Sequence, residues 1–190
     1  MKLDILAFGA HPDDIELGCS GTIIKNLKNG LKIGIIDLTR GELGTRGTVN
    51  TRNMETINST KVLGVQLREN MDFKDGLFEN NEKNKIALIK KIREYRPEIV
   101  LTNAPTDRHP DHGRSSDLTI DACFLSGLEK IETGQDVWRP KHIYHYIQFN
   151  TIFPDFVVDI TEEMDKKLES VLCYKTQFYN PESKESETII

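Results

Sequence analysis

Predominantly apolar runs alternate with helical segments along this chain, and this alternation limits the folds that it can adopt. The runs Leu3–Phe8, Lys32–Leu38 and Glu98–Thr102 have the composition of buried strands. Residues 15–28 and 81–95 lie between them and have the spacing of helices. A strand, a helix and a second strand in this order form a crossover that places the two strands parallel. The pattern therefore predicts an α/β fold with a mainly parallel sheet.

The rest of the chain continues the alternation, and its 190 residues suit a single domain over the whole of residues 1–190. Further helices are expected over residues 52–63, 113–125 and 161–174, the last capped by Thr161, and further strands over residues 65–71, 142–149 and 156–158. Asp13 or Asp14 is expected to cap the first helix. Residues 39–51 are rich in Gly and Thr and predict a long functional loop, and residues 180–188 predict a polar tail.

Composition excludes several classes of partner. The formal net charge of −5 argues against a nucleic-acid-binding surface. No apolar run has the length of a membrane-spanning helix, and residues 1–8 lack the features of a signal peptide. The three cysteines are far apart and form no CxxC pair, so we expect a reducing, cytoplasmic location. Cys19 is expected to be a small buried thiol and not a metal ligand.

Two histidine and carboxylate clusters follow predicted strands, and together they suggest a metal-dependent hydrolase. His11-Pro12-Asp13-Asp14 comes after the first strand, and Arg108-His109-Pro110-Asp111-His112 comes after the strand that ends at Thr102. The carboxyl ends of parallel strands are where ligands bind in open α/β sheets. His11, Asp14 and His112 are predicted to bind one Zn²⁺ and to leave a position for water, although Fe²⁺ or another divalent ion could use the same ligands.

The remaining polar residues of these clusters have predicted catalytic roles. Asp13 lies beside the ligands and is placed to take a proton from the activated water as general base. His109 and Asp111 flank Pro110, and we expect the carboxylate to raise the pKa of the imidazole, so that a cation stabilises an oxyanion or protonates a leaving amine. His142 and His145 lie in an apolar strand segment and are expected to be structural.

Arginines are frequent near both clusters in an otherwise acidic chain, which suggests an anionic group in the substrate. They are Arg40, Arg46, Arg52, Arg108 and Arg114. Two other classes of function remain open at this point. A two-histidine, one-carboxylate Fe²⁺ oxygenase uses the same ligand types. A non-enzymatic nucleotide-binding module is disfavoured, because the first strand-to-helix turn lacks the G-x-G-x-x-G pattern.

Several motifs occur together in the order that one known family shows. They are Ala10-His11-Pro12-Asp13-Asp14, the Gly41-Glu42 loop, Arg52 with Glu55, and His109-Pro110-Asp111-His112. The chain thereby resembles the LmbE-like (PIG-L) family of zinc-dependent N-acetylglucosamine deacetylases over nearly its whole length. The segment Gln177-Phe178-Tyr179-Asn180-Pro181, with Ser183-Lys184-Glu185, is similar to the branch that deacetylates N-acetylglucosaminyl-malate in bacillithiol biosynthesis.

The resemblance implies a Rossmann-like three-layer fold, zinc on the ligand set given above, Asp13 as general base, and His109, oriented by Asp111, as the electrophilic or acid partner. It implies Arg52 in substrate binding, a role for which we take Arg108 as the alternative. Together with the arginines near both clusters, it points to a small, anionic glycoside as substrate. A bacillithiol-conjugate amidase or a chitooligosaccharide deacetylase is the alternative within the family. The resemblance also implies a homo-oligomer, often a hexamer, and leads to the expectation that relatives have a C-terminal segment beyond the part that this chain covers.

Overall fold

The computed structural model describes residues 1–178, and within them the strands form one sheet of five. The strands are β1 Ile5–Gly9, β2 Ile33–Thr39, β3 Leu67–Phe73, β4 Ile99–Asn103 and β5 His142–Tyr146. Their order across the sheet is β3-β2-β1-β4-β5, and every pair of neighbours is parallel. The predicted α/β class with a parallel sheet is therefore confirmed.

Helices cover both faces of the sheet, which makes three layers. The helices are α1 Asp14–Gly18, α2 Ser20–Lys28, α3 Val49–Leu63, α4 Glu82–Tyr95, α5 Pro110–Leu125 and α6 Met164–Val171. On one face, Leu6 and Phe8 of β1 pack with residues of α4 and α5. On the other face, Ile5 and Ala7 pack with residues of α1, α2 and α3. Because β1 is buried on both faces, its sequence is continuously apolar and does not alternate.

Several predicted boundaries differ from the structure. The first helix is divided into α1 and α2 at Cys19. Helix α5 begins at Pro110 and not at residue 113, because Pro fits the first helical position and the His109 side chain caps the helix by accepting from the Asp111 N–H. Helix α6 begins at Met164, and Thr161, the predicted cap, instead bonds to Asp159 through its hydroxyl.

Two further predictions were wrong. Residues 156–158 form no strand in the described part of the chain, where they are exposed and pair with no other strand. Neither Asp13 nor Asp14 makes the expected side-chain cap among residues 1–178, although Asp13 occupies the cap position of α1. The predicted polar tail over residues 180–188 lies outside the described residues.

The strands are added first on one side of β1 and then on the other. The segment β1–β2–β3 extends to one side of β1, whereas β4 and β5 lie on the other side. The loops that leave β1 and β4 at their carboxyl ends therefore diverge, which opens a crevice where open α/β sheets bind ligands. Asn103 closes the base of this crevice, since its Oδ1 accepts from the Ala10 N–H at 3.0 Å. No helix of residues 1–178 is long and apolar enough to cross a membrane.

Candidate active site

The crevice between the β1 and β4 loops contains a cavity of about 290 Å³. The cavity is lined by both histidine clusters, by the loop after β2 and by residues that follow β5 and α6. The lining includes His11, Asp13, Asp14, Gly41, Leu43, Gly44, Thr45, Arg52, Asp75, Arg108, His109, His112, Gln148, Phe149, Gln177 and Phe178. The two motifs that lie almost a hundred residues apart in sequence are thus adjacent in space. The Gly- and Thr-rich loop also lines the cavity, as its predicted functional role requires.

His11 is held by carboxylates on the side of the ring that faces away from Asp14. Its Nε2 lies 3.0 Å from Asp75 Oδ1 and 3.3 Å from Asp111 Oδ2. Its Nδ1 lies 3.6 Å from Asp14 Oδ2. Burial alone would lower the pKa of His11, but its hydrogen bonds to Asp111, Asp14 and Asp75 raise that pKa well above the usual value. Because the carboxylates fix the hydrogen on Nε2, the nitrogen that can bind a metal is Nδ1.

His112 is held in the same way as His11, but with the roles of Nδ1 and Nε2 exchanged. Its Nδ1 lies 2.9 Å from Asp107 Oδ2, and its Nε2 lies 3.2 Å from Asp14 Oδ1. Burial alone would lower the pKa of His112, whereas Asp14 and Asp107 raise it. In both histidines, therefore, one ring nitrogen faces Asp14 and the other is bound by a different carboxylate. We call the first the inner nitrogen (Nδ1 of His11, Nε2 of His112) and the second the outer nitrogen. Metal-binding histidines commonly have this pattern, because a hydrogen bond at the outer nitrogen fixes the tautomer and the orientation of the ring.

Asp14 lies between the two imidazoles and is fixed by neutral donors. It accepts from Gln148 Nε2 at 2.8 Å, from Asn103 Nδ2 at 3.1 Å and from the His11 N–H at 3.0 Å. Burial alone would raise the pKa of Asp14, but His112 and His11 lower it well below the usual value, so that the carboxylate is ionised. Donor atoms around a tetrahedral zinc ion are roughly 3.3 Å apart. Asp14 contacts the two histidines at a similar spacing through different oxygens: Oδ1 lies 3.2 Å from His112 Nε2, and Oδ2 lies 3.6 Å from His11 Nδ1. Two imidazoles and an ionised carboxylate are the ligand types that suit a divalent metal ion.

His109 also lies close to these groups, and its hydrogen bonding favours a different role. Ring nitrogens of His11, His109 and His112 lie within 4.8 Å of one another. However, the Asp111 N–H donates to His109 Nδ1 at 3.2 Å. A neutral imidazole that accepts at Nδ1 has its hydrogen on Nε2, and a nitrogen with a hydrogen cannot be a metal ligand. The geometry therefore makes His109 a hydrogen-bond donor at the cavity.

The expectation that His109 has a raised pKa was wrong, although Asp111 acts on that pKa in the expected direction. Burial lowers the pKa of His109, and the charges of His11 and His112 lower it further, so the opposing effect of Asp111 is outweighed. The Asp111 carboxylate instead binds His11 Nε2, the Gly76 N–H at 2.8 Å and the Arg114 guanidinium. Asp111 contacts His109 through its backbone N–H, and its side chain contacts His11.

Asp13 is held beside the site in a strained backbone conformation. Its φ is 115°, in the region that L-residues rarely adopt. Arg52 Nη1 donates to Asp13 Oδ2 at 3.1 Å and to the Pro12 carbonyl at 2.8 Å. Burial raises the pKa of Asp13 to about 7, although the Arg52 cation opposes this effect. A carboxylate of this kind can exchange a proton near neutral pH.

Two glycines allow the loop after β2 to approach Arg52 closely. A Cβ at Gly41, whose φ is 64°, would lie 3.2 Å from Arg52 Nη1, and a Cβ at Gly44 would lie 3.3 Å from Arg52 Nη2. Either contact is tight enough to displace the guanidinium. The loop is also tied to Asp75, because the Leu43 N–H donates to Asp75 Oδ2 and Glu42 Oε1 accepts from the Asp75 N–H. The Gly41-Glu42 motif thus holds both Arg52 and a carboxylate partner of His11.

The arginines that cluster in sequence separate in the structure. Arg40 pairs with Asp72, Arg46 donates to the carbonyls of Gln177 and Phe178, and Arg114 pairs with Asp111. Arg108 is exposed at the cavity and lies over the Phe149 ring, with the guanidinium carbon 4.7 Å from the ring centroid. Of the two predicted substrate-binding residues, Arg52 is buried against Asp13 and Arg108 faces solvent.

Sequence reasoning missed four residues that support the site. They are Asp75, Asn103, Asp107 and Gln148. Asn103 could have been found, because it directly follows the predicted strand that ends at Thr102 and is the last residue of β4. Cys19 is buried as expected, and His145, which was expected to be structural, bonds to the Asn103 carbonyl at 2.8 Å. His142, the other histidine expected to be structural, is exposed and stacks on Tyr144, with the ring centroids 6.0 Å apart.

Comparisons with known proteins agree with this geometry. A family model for PIG-L, described as GlcNAc-PI de-N-acetylase, matches residues 6–123, which include both histidine clusters. A diacetylchitobiose deacetylase from Thermococcus kodakarensis is 30% identical over 186 residues, which are 92% of this chain and 70% of that protein. A Bacillus anthracis protein described as "Probable N-acetyl-alpha-D-glucosaminyl L-malate deacetylase 2" is 24% identical over 92% of this chain and 81% of that protein. The crystal structure of the conserved protein TT1542 from Thermus thermophilus has a TM-score of 0.90 and 37% identity, covering 93% of this chain and 80% of that one.

Proposed function

We propose a function for this chain from the premise that it belongs to the PIG-L (LmbE-like) family. In this proposal the chain is a zinc-dependent amide hydrolase that removes the N-acetyl group from an N-acetylglucosaminide. One observation carries the proposal: His11 and His112 have their outer nitrogens bound by carboxylates and their inner nitrogens turned toward the same ionised Asp14. This arrangement supports one metal ion on His11, Asp14 and His112.

The metal and the protein would supply different parts of the chemistry. When bound, a divalent ion lowers the pKa of water and polarises a carbonyl oxygen. Hydrolysis forms a C–O bond at the amide carbonyl carbon and breaks the C–N bond, which releases acetate and a free amine. Asp13 accepts the proton of the attacking water at a carboxylate oxygen and returns it to the leaving nitrogen. Arg52 holds Asp13 in place through the hydrogen bond of 3.1 Å.

His109 would act on the developing negative charge of the carbonyl oxygen. Its Nδ1 accepts from the Asp111 N–H, so that Nε2 has the hydrogen that can be donated. Because its pKa is lowered, His109 is neutral at physiological pH and acts as a hydrogen-bond donor and not as a cation. Such a donor stabilises the transition state more than the substrate, since the oxygen becomes charged only as the water adds.

The substrate would have an anionic aglycone, with N-acetylglucosaminyl-malate as our first candidate. Arg108 supports this choice, because it is the exposed arginine of the cavity and its stacking on Phe149 holds the guanidinium in one orientation. The Bacillus anthracis relative, described as a deacetylase of the malate glycoside, gives further support. A chitooligosaccharide is the second candidate, favoured by the 30% identity to a diacetylchitobiose deacetylase.

A panel of substrates tests this proposal. The purified, metal-loaded protein is incubated with N-acetylglucosaminyl-malate, diacetylchitobiose, a bacillithiol S-conjugate and N-acetylglucosamine, and free amine is measured with and without a chelator. We expect chelator-sensitive amine release and the highest kcat/KM for the malate glycoside. A higher kcat/KM for diacetylchitobiose than for the malate glycoside would make a chitooligosaccharide the substrate instead. Absence of amine release from all four compounds would contradict the proposed function.

A further inference from the structure

Helix α1 carries Asp14 and directly follows Asp13, although it is short and weakly held by its own residues. It spans five residues, Asp14–Gly18, and Cys19 separates it from α2. Asp13 at its start has a φ of 115° and provides no side-chain cap within the described residues. A single helical turn of this length has little stability of its own. The position of α1 must therefore be fixed by contacts with other elements.

Glu16 makes those contacts through a fully buried carboxylate that the proposed reaction does not use. Its Oε1 accepts from Ser59 Oγ at 2.5 Å, from Arg68 Nη1 at 2.5 Å and from Tyr174 Oη at 3.1 Å. Ser59 lies on α3, Arg68 on β3, and Tyr174 in the segment after α6. One side chain thus links the turn that carries Asp14 to three separate elements.

The partners of Glu16 are themselves fixed. Arg68 also donates to both oxygens of Asp37, at 2.8 and 2.9 Å, and its side chain is almost fully buried. On the backbone side of α1, Lys167 Nζ donates to the Glu16 carbonyl at 2.9 Å and to the Leu17 carbonyl at 2.5 Å. These carbonyls lie near the end of α1, and the Glu16 carbonyl also accepts from Ser20 Oγ at 2.7 Å. Movement of α1 would therefore disrupt several buried charged hydrogen bonds at once.

We propose that Glu16 is a positioning residue that fixes the α1 turn, and thereby places the Asp14 carboxylate between His11 and His112. The inference rests on the proposed function, because it takes Asp14 to be a metal ligand and Asp13 to be the base. Loss of an outer hydrogen-bond partner typically reduces metal affinity or activity about 10- to 100-fold. A displacement of about 1 Å at a reacting group has an effect on the order of 100-fold on rate.

The first test is the variant Glu16→Gln, which keeps the shape of the side chain but removes its charge beside Arg68. Zinc affinity is measured by competition with a chromophoric chelator, and kcat and KM are measured on the substrate that wild type cleaves best. We expect the zinc Kd to rise about 10- to 100-fold. We expect kcat to fall by a similar factor while KM stays within about threefold, because Arg108, the proposed substrate contact, packs on Phe149 and not on Glu16.

Two milder variants keep the inference testable if Glu16→Gln does not fold. Tyr174→Phe and Ser59→Ala each remove one hydrogen bond to the Glu16 carboxylate and leave the charge of Arg68 compensated. We expect each to raise the zinc Kd by about 2- to 10-fold, an order-of-magnitude expectation for one lost hydrogen bond. A zinc Kd equal to that of wild type in both variants would overturn the inference.

Arg93→Lys is the matched control for a general loss of stability. Arg93 is also buried and charged, but it donates to the carbonyls of Ser126, Leu128 and Ile131, away from the metal site. We expect this variant to lower Tm and to keep the zinc Kd of wild type. If Glu16→Gln lowers Tm and also keeps the wild-type Kd, Glu16 is only structural and the inference is wrong. The zinc measurement needs no substrate, so it still decides the role of Glu16 if the wild-type chain cleaves none of the proposed compounds.

Discussion

The proposed role of Asp13 as general base gives the most specific prediction about this site. Asp13→Asn removes the proton acceptor and keeps the size of the side chain. Asn also tolerates the backbone conformation at this position, where φ is 115°, better than most residues do. The amide oxygen can still accept from Arg52 Nη1, which in addition keeps its 2.8 Å hydrogen bond to the Pro12 carbonyl. The variant should therefore fold and keep the shape of the cavity.

The expected magnitudes follow from what Asp13 does and does not contact. General acid–base catalysis typically contributes about 10²- to 10⁴-fold to rate, so kcat should fall by that factor. KM should change little, because the interaction that is lost forms with the attacking water and not with the glycoside. The hydrogen bonds that fix Asp14 come from Gln148, Asn103 and the His11 backbone, so zinc content should remain that of wild type.

The assay combines steady-state kinetics with metal analysis and uses Asp107→Asn as the matched control. Asp107 is also a carboxylate beside the site, but its partner is His112 Nδ1 at 2.9 Å. Asp107→Asn should weaken zinc binding about 10- to 100-fold and, when saturated with zinc, should retain most of its activity. Turnover by Asp13→Asn within about tenfold of wild type would refute the reasoning, as would loss of zinc from Asp13→Asn.

Three further predictions concern other parts of the site and the assembly. His109→Ala should keep zinc and lower kcat about 10²- to 10³-fold, as expected for removal of one oxyanion donor, and an effect on KM alone would make His109 only a binding residue. It should also lower the free energy of unfolding by about 1 kcal/mol, because the His109 side chain caps α5. Arg108→Ala should raise KM for N-acetylglucosaminyl-malate and reduce the ratio of its kcat/KM to that of N-acetylglucosamine. Arg96 pairs with Asp136 outside the cavity, so Arg96→Ala should change neither quantity. Light scattering should find a homo-oligomer, because side chains such as Phe153, which is 99% exposed, favour burial against another subunit, and a monomer at all concentrations would contradict this.

The strands that could be predicted from sequence are those whose burial is determined locally. β1, β2 and β4 are central strands with apolar residues on both faces, so continuous apolar runs identify them. Residues 156–158 have a similar composition, yet they are exposed and pair with no strand in the described part of the chain, because β-propensity alone does not decide whether a segment pairs with a neighbouring strand. The presence of such a neighbour is a property of the whole fold and cannot be read from a short segment.

The candidate site was predictable where its residues belong to short motifs at strand ends. His11, Asp14 and His112 come together because β1 and β4 are adjacent and parallel. Their carboxylate partners were not predictable, because Asp75 contacts His11 from 64 residues away and follows a different strand. The sequence spacing of His109 and Asp111 also suggested a side-chain contact. The start of α5 at Pro110 directs the Asp111 carboxylate to His11 instead.

Clustering of arginines in sequence was a poor guide to an anionic substrate. Arg46 and Arg114 bind groups of the protein itself, and Arg52 is occupied by Asp13 and Pro12. Only the folded structure distinguishes these from Arg108, which is exposed at the cavity. In the proposed function, Arg108 therefore takes the contact with an anionic aglycone, and Arg52 takes the positioning of the proposed base Asp13.

The identity of the metal ligands is the central claim, and the metal content of two histidine variants tests it most directly. Wild type, His112→Ala and His109→Ala are purified, loaded with zinc, passed through a desalting column and analysed for zinc per chain. We predict about one zinc per chain in wild type and His109→Ala, and almost none in His112→Ala, since a three-ligand site seldom survives the loss of one ligand. Full zinc occupancy in His112→Ala, or an empty site in His109→Ala, would contradict the ligand assignment.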